Sequence, residues 1–134
     1  MIETSRGPES PFISHRATGS VTIDELVQAI VCASEYESTI PELWDFGRAE
    51  SLFALSRIHD LRRSHDRMWL DNLLRDTKPR KSAWFAVGGF NRAVLELFLD
   101  DAGIRMDRRV FGDMNGAFHW ITSSGVTGTV KMAP

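Results

Sequence analysis

Two kinds of pattern alternate along the chain. Short segments with the composition of buried strands occur at residues 11–17, 42–47, 82–87 and 104–111. Apolar residues at helical spacing, typical of amphipathic helices, occur at residues 22–31, 56–76, 91–102 and 113–121. Because strand and helix alternate, the pattern predicts an α/β fold. We expect a mostly parallel or mixed sheet of about four to five strands, flanked by about four helices.

Polar residues at the predicted helix starts support these limits. Thr22 is followed three residues later by Glu25, and this spacing predicts a capping box at the start of the first helix. Ser56, Asn91 and Asp113 are suitable N-caps for the other helices, because each has a short polar side chain.

The length of 134 residues fits a single domain. Hydrophobic residues make up 43% of the chain and charged residues 25%, as in an ordinary globular protein. The polar start and the Ser-, Gly- and Thr-rich end indicate loose termini. We therefore predict a flexible lead-in over residues 1–10, one α/β domain over residues 11–121 and a loose tail over residues 122–134.

The single cysteine, Cys32, excludes a disulfide within the chain. It is expected opposite the apolar stripe of the first helix. Residues 1–8 lack the apolar core of a signal peptide, and no apolar run approaches the ~20 residues of a membrane span. These features predict a cytoplasmic protein with no membrane-spanning segment.

The net charge of −2 is unevenly distributed. Residues 1–56 hold nine acids and three bases, whereas residues 57–81 hold eight bases and four acids. Since the acids interleave with the bases, the basic segment is typical of a salt-bridged helix face, and no nucleic-acid partner is expected. The asymmetry can orient self-association or an acidic partner.

The histidines do not form a metal site in the sequence pattern. His59 and His65 are six residues apart and point away from each other on a helix. His15 has no obvious partner, and His119 is expected to be exposed. The chain also lacks a Gly-x-Ser-x-Gly elbow. We therefore predict no catalytic set, no metal and no cofactor.

One candidate ligand site lies where the strands end. Asp45 and Gly88 sit at the carboxyl ends of two predicted strands, the edge at which open α/β sheets bind ligands. The other candidate ligand-binding residues are Arg48, Gly89, Asn91 and Arg92, with Trp44 and Phe90 expected behind them. Alternatively, Asp45 only caps its loop, Gly88-Gly89 is a tight turn, and both arginines are solvated.

Short motifs at the element boundaries suggest a family. They are Gly19-Ser20-Val21-Thr22, Asp24-Glu25-Leu26, Leu43-Trp44-Asp45, Lys81–Val87, Val110–Asp113 and Ala117–Ile121. Over residues 12–121 their order resembles the STAS-like, or SpoIIAA-like, family of small bacterial α/β proteins. The resemblance implies a fold related to the CRAL-TRIO type. None of these motifs is catalytic.

Two departures limit what the resemblance implies. The family's phosphorylated members carry an Asp-Ser-x-Gly-type site where this chain reads Phe46–Ser51, so modification of Ser51 or Ser56 is not implied. Related proteins also have a Gly-Leu-Ala-Arg-like helix start where this chain reads Phe90-Asn91-Arg92-Ala93. The resemblance therefore implies no function that depends on that motif.

The sequence leaves several functions open. The first is a non-enzymatic regulatory or protein-interaction module that forms a homodimer or binds another protein. The second is a carrier or sensor of a small apolar or anionic ligand at the carboxyl edge of the strands. The third is an enzyme that uses Asp45 or His59.

Overall fold

The computed structural model describes residues 1–6, 10–33, 35–36, 40–52, 81–102 and 107–122. The predicted helix over residues 56–76, with Ser56, His59 and His65, lies outside the described residues. So do residues 123–134 of the predicted tail.

The described residues contain a mixed sheet of five strands. In chain order they are β1 (Ile2–Ser5), β2 (Ile13–Ser20), β3 (Glu42–Ser51), β4 (Lys81–Phe85) and β5 (Asp107–Phe111). The strands lie side by side in this same order. β1 is antiparallel to β2, and all other neighbours are parallel. The predicted α/β fold with a mostly parallel or mixed sheet is confirmed.

Three helices are described: α1 (Ile23–Ala33), α2 (Gly89–Ala102) and α3 (Met114–Thr122). The predicted capping box starts α1, because Glu25 N donates to Thr22 Oγ1 and Thr22 N donates to Glu25 Oε1, both at 3.1 Å. Asp113 caps α3 as predicted, accepting from the backbone nitrogens of Asn115 and Gly116. None of these described helices is long and apolar enough to cross a membrane.

The helices cover both faces of the sheet. Since β2 leads to β3 and β4 to β5 in the same direction across the sheet, right-handed connections place α1 and α2 on one face. Their apolar residues pack there with Trp44, Phe46 and Trp84. On the opposite face α3 packs against Leu43 and Ala83, the strand neighbours of the two tryptophans.

Strand β1 corrects the prediction of a flexible lead-in over residues 1–10. Ile2 pairs with Ala17 and packs against the core beneath α1. Glu3, Thr4 and Ser5 are exposed. The strand is short and polar, so its order comes from pairing with β2 and from one apolar contact, which no local hydrophobic pattern signals.

The other differences lie at element boundaries. β3 does not end at Gly47 but continues to Ser51. Asn91 is not the N-cap of α2, since the helix begins at Gly89 and Arg92 N donates to Gly88 O at 3.2 Å. Gly88 has a φ of +88°, a left-handed conformation that glycine adopts without steric cost, so the turn itself sets the helix start.

Candidate functional site

A row of side chains crosses the sheet on the face covered by α1 and α2. The strand register places Thr4 opposite His15, His15 opposite Trp44, and Trp44 opposite Trp84. The His15 and Trp44 rings stack with centroids 3.7 Å apart, and the two indoles stack at 4.6 Å. The row therefore runs from an exposed residue at the sheet edge into the core.

Polar contacts connect the same row. Thr4 Oγ1 lies 2.7 Å from His15 Nδ1, and His15 Nε2 lies 3.1 Å from Glu42 Oε1. Trp44 Nε1 donates to the other carboxylate oxygen, Glu42 Oε2, at 3.2 Å. His15 and Glu42 are both 1% exposed, so their side chains satisfy each other away from water. We name this group (Thr4, His15, Glu42 and Trp44) the His15 cluster.

The His15 cluster corrects the expectation that His15 has no partner. The hydrogen-bond partners of His15 come from the two neighbouring strands, 11 residues before it on β1 and 27 residues after it on β3. Only the lateral register of β1, β2 and β3 brings them together.

An open cleft adjoins the cluster between β1 and α1. Its volume is about 620 Å³, and its lining includes Ile2, Thr4, Ala29 and Cys32. A second cavity of about 380 Å³ is lined by Thr4, Cys32, Glu35 and Tyr36. Thr4 and Cys32 thus border both spaces. Cys32 is exposed.

The predicted ligand residues on β3 lie at an irregular part of the strand. A register shift against β2 falls between the Asp45 and Arg48 pairings, so β3 bulges there. Asp45 Oδ1 accepts from Gly47 N at 2.8 Å and closes the bulge. A Cβ at Gly47 would lie 2.6 Å from Cε2 of Phe85 on the neighbouring strand. Arg48 is exposed.

The predicted residues after β4 gather around Arg92. The Nε of Arg92 lies 3.5 Å from Gly88 O, and a Cβ built at Gly112 would lie 2.7 Å from its Nη1. The Arg92 side chain therefore spans the turns that follow β4 and β5. Gly89 and Asn91 belong to the first turn of α2.

The structure thus brings Gly88, Gly89, Asn91 and Arg92 to one turn and holds Asp45 at the β3 bulge beside β4. Trp44 does not back this edge, because its ring is buried in the His15 cluster on the other face of β3. Phe90 is 68% exposed. Among the described residues, no group of three or more His, Cys, Asp or Glu side chains could hold a metal ion.

An apolar stripe runs along the outer side of α2. Phe90, Ala93 and Leu97 are exposed and occur at spacings of three and four residues, which place them on one face of the helix. Val87, in the preceding turn, is 57% exposed. We name Phe90, Ala93 and Leu97 the α2 stripe. The helical pattern of the sequence does not reveal this stripe, because the same helix also carries an apolar face that is buried, formed by Val94, Leu95, Phe98 and Leu99.

Three further polar or aromatic side chains have local roles. His119 is exposed as expected. Trp120 carries the Lys81 ammonium 4.1 Å from its ring centroid, a cation–π contact that covers one face of the indole. Ser51, also exposed, donates to Ser20 Oγ at 2.9 Å.

The chain is similar to a solved structure over most of its length. No family model and no curated protein matches the chain. The solved structure is that of an uncharacterized protein from the DUF3478 family with a SpoIIAA-like fold, from Shewanella loihica PV-4. The two share 16% sequence identity with a TM-score of 0.49, over 90% of this chain and 92% of that chain. The Shewanella protein has the SpoIIAA-like fold that the sequence motifs of this chain resemble.

Proposed function

We propose that the protein is a regulatory or protein-interaction module that binds a second copy of itself through α2. The observation that supports this function is the α2 stripe. Phe90 is 68% exposed and Leu97 is 47% exposed. Removing apolar side chains of this size from water is favourable, so burying them in an interface would stabilise it. Contiguous exposed apolar residues mark interaction surfaces more often than isolated ones do.

The α2 stripe suits a second copy because it is self-complementary. In an antiparallel pair of α2 helices, a two-fold axis near Ala93 sets Phe90 of one copy against Leu97 of the other. The small Ala93 side chain allows the two helices to approach closely at the axis. The same patch then serves both copies, as a closed two-fold interface requires.

Sedimentation of two matched variants tests this function. Leu97→Lys places a charge in the α2 stripe, and we expect it to convert a sedimenting dimer to a monomer. Glu96→Lys adds a lysine at the adjacent exposed position, outside the stripe, and should leave the dimer intact. Analytical ultracentrifugation over a concentration series distinguishes these outcomes. Identical sedimentation of Leu97→Lys and the wild type contradicts the proposal.

A second candidate function is a carrier or sensor of a small anionic ligand at the carboxyl edge of the strands. It is favoured by the start of α2, whose first turn holds no acidic residue and lies beside the Arg92 guanidinium. Titration with inorganic phosphate, followed by amide NMR shifts, tests it. We expect shifts at Gly89 and Phe90 that vanish in Arg92→Ala and persist in Arg16→Ala, an exposed arginine on β2. An absence of shifts in the wild type contradicts the carrier function.

We further propose a cytoplasmic location. Cys32 is exposed, and an exposed thiol stays reduced in the cytoplasm without a partner. Cell fractionation of the tagged protein tests the location, and recovery in a membrane or secreted fraction contradicts it.

A further inference from the structure

In the His15 cluster, the Thr4 hydroxyl, the His15 ring and the Glu42 carboxylate are connected in the order found in activated nucleophiles. In the neutral tautomer that places a hydrogen toward the Glu42 carboxylate, Nε2 of His15 donates to Glu42 Oε1, 3.1 Å away. The other nitrogen, Nδ1, then has a free lone pair directed at Thr4 Oγ1, 2.7 Å away. A hydroxyl, a base within hydrogen-bond reach and a third group that orients the base form the arrangement used in nucleophilic catalysis.

Thr4 is placed where a substrate can reach it. Its side chain is exposed and borders the cleft of about 620 Å³, whereas His15 and Glu42 are buried behind it. The chain of contacts therefore begins at solvent and ends at a buried carboxylate. A purely structural role for His15 needs no exposed hydroxyl at its outer end.

The edge strand also supplies a backbone donor beside Thr4. The Met1 nitrogen and Thr18 O, and Thr18 N and Met1 O, are joined by hydrogen bonds of 2.9 and 2.8 Å. Since hydrogen-bonded and non-hydrogen-bonded pairs alternate along an antiparallel ladder, Thr4 and His15 form a non-hydrogen-bonded pair. The Thr4 N–H therefore points away from β2, toward the open side of β1.

We infer that Thr4 is the nucleophile of an acyl-transfer site that hydrolyses small carboxylic esters. His15 Nδ1 takes the Thr4 proton while Thr4 Oγ1 forms a bond to the acyl carbon. His15 returns that proton to the departing alkoxide, which leaves as an alcohol. Water then attacks the acyl-threonine with His15 as base again, releasing the carboxylic acid and restoring the Thr4 hydroxyl.

The cleft lining defines the substrate class. Ile2, Ala29 and Cys32 offer an apolar wall for a short acyl chain. The Met1 ammonium pairs with Glu25 at 3.2 Å, so the Asp24 carboxylate in the lining is the charge that disfavours an anionic substrate. The fitting substrate is a neutral ester with a short aliphatic acyl group. Glu42 does not touch it and is a positioning residue. This activity goes beyond self-association and does not depend on the α2 stripe.

The test uses p-nitrophenyl butyrate with the Cys32→Ala protein, because the exposed thiol of Cys32 would otherwise be acylated itself. We expect hydrolysis above the buffer rate, and one butyryl group per chain by intact mass. Tandem mass spectrometry should place this group on Thr4. Hydroxylamine should remove it, since it cleaves an ester on Thr4 but not an amide on the Met1 amine.

Three further variants in the Cys32→Ala background isolate the role of Thr4. Thr4→Val keeps the side-chain shape and should lower the hydrolysis rate about 100-fold, whereas Thr4→Ser should retain it. Ser5→Ala, the matched control, removes the neighbouring hydroxyl on the opposite face of β1 and should change nothing. Glu42→Gln should lower kcat about tenfold or more with an unchanged KM.

The result that overturns the inference does not depend on variants of the buried residues. An equal rate in Thr4→Val and its parent excludes Thr4 as the nucleophile, as does a butyryl group found only on the Met1 amine. A protein without hydrolysis and without a butyryl adduct overturns the whole proposal. Circular dichroism of Thr4→Val ensures that a lost rate is not a lost fold.

Discussion

At the residue scale, the physical constraints concentrate in β3. Glu42 at its start places a carboxylate among buried aromatic rings, and Gly47 at its bulge lets the Phe85 ring approach the backbone. Both positions look unremarkable in the sequence. Both are fixed by neighbours on other strands, so their roles could not be predicted without the lateral register of the sheet.

The Glu42 carboxylate is expected to be necessary for stability. Glu42→Ala leaves His15 Nε2 and Trp44 Nε1 without their acceptor in the core, and unsatisfied buried polar groups are costly. We expect a loss of about 3 kcal/mol in the free energy of unfolding. Urea denaturation measures it. Glu50→Ala, an exposed change on the same strand, should stay within about 0.5 kcal/mol, and equal effects of the two variants would contradict this account.

Gly47 is expected to tolerate no side chain. A Cβ there would lie 2.6 Å from Phe85 Cε2, so Gly47→Ala must displace the ring or the bulge. We predict destabilisation by about 1–3 kcal/mol. Gly116→Ala is the matched control: its Cβ would meet nothing closer than 3.4 Å, and alanine in a helix is favoured by up to about 1 kcal/mol. Thermal unfolding should therefore shift in opposite directions, and a shift in the same direction argues against the close approach.

At the element scale, local chemistry was the most predictable part of the fold. The capping box of α1 and the Asp113 cap of α3 were both predicted, because a cap is formed by residues within one turn of each other. The central strands β3 and β4 were also predicted from their apolar content. Strand β1 was not, since its residues are polar and its order depends on β2.

The capping box gives α1 a pH dependence of known sign. The backbone hydrogen bond from Thr22 is the main reason that the pKa of Glu25 is lowered. A lowered folded-state pKa adds stability above the unfolded pKa, and this contribution is lost as pH falls through the folded pKa. We expect the wild type to exceed Glu25→Gln in thermal midpoint at pH 7, with the difference shrinking below about pH 4.

Thermal unfolding at pH 7 and pH 3 of the wild type, Glu25→Gln and Glu96→Gln checks this dependence. Glu96 is exposed on α2 and takes no part in the α1 cap, so its substitution should not reproduce the effect. A Glu25→Gln difference that is the same at both pH values would contradict the role of the ionised cap.

At the scale of the whole molecule, the sequence predicted the layers of the fold better than its surfaces. The alternation of strands and helices was sufficient to predict the mixed α/β sheet. Of the residues expected at the strand ends, Arg92 does lie there and spans two turns, whereas Trp44 lies in the core and does not back the site. The α2 stripe and the β1–α1 cleft depend on which helix faces remain uncovered, and that is a property of the complete packing.

Native mass spectrometry of the gently purified wild-type protein tests the central claim most directly, because it weighs the assembly and any retained ligand together. Self-association through the α2 stripe predicts a dimer whose mass is twice that of the 15.1 kDa chain, with nothing added. A monomer at every concentration would contradict the interaction module. A reproducible added mass, lost on denaturation, would instead favour the ligand carrier.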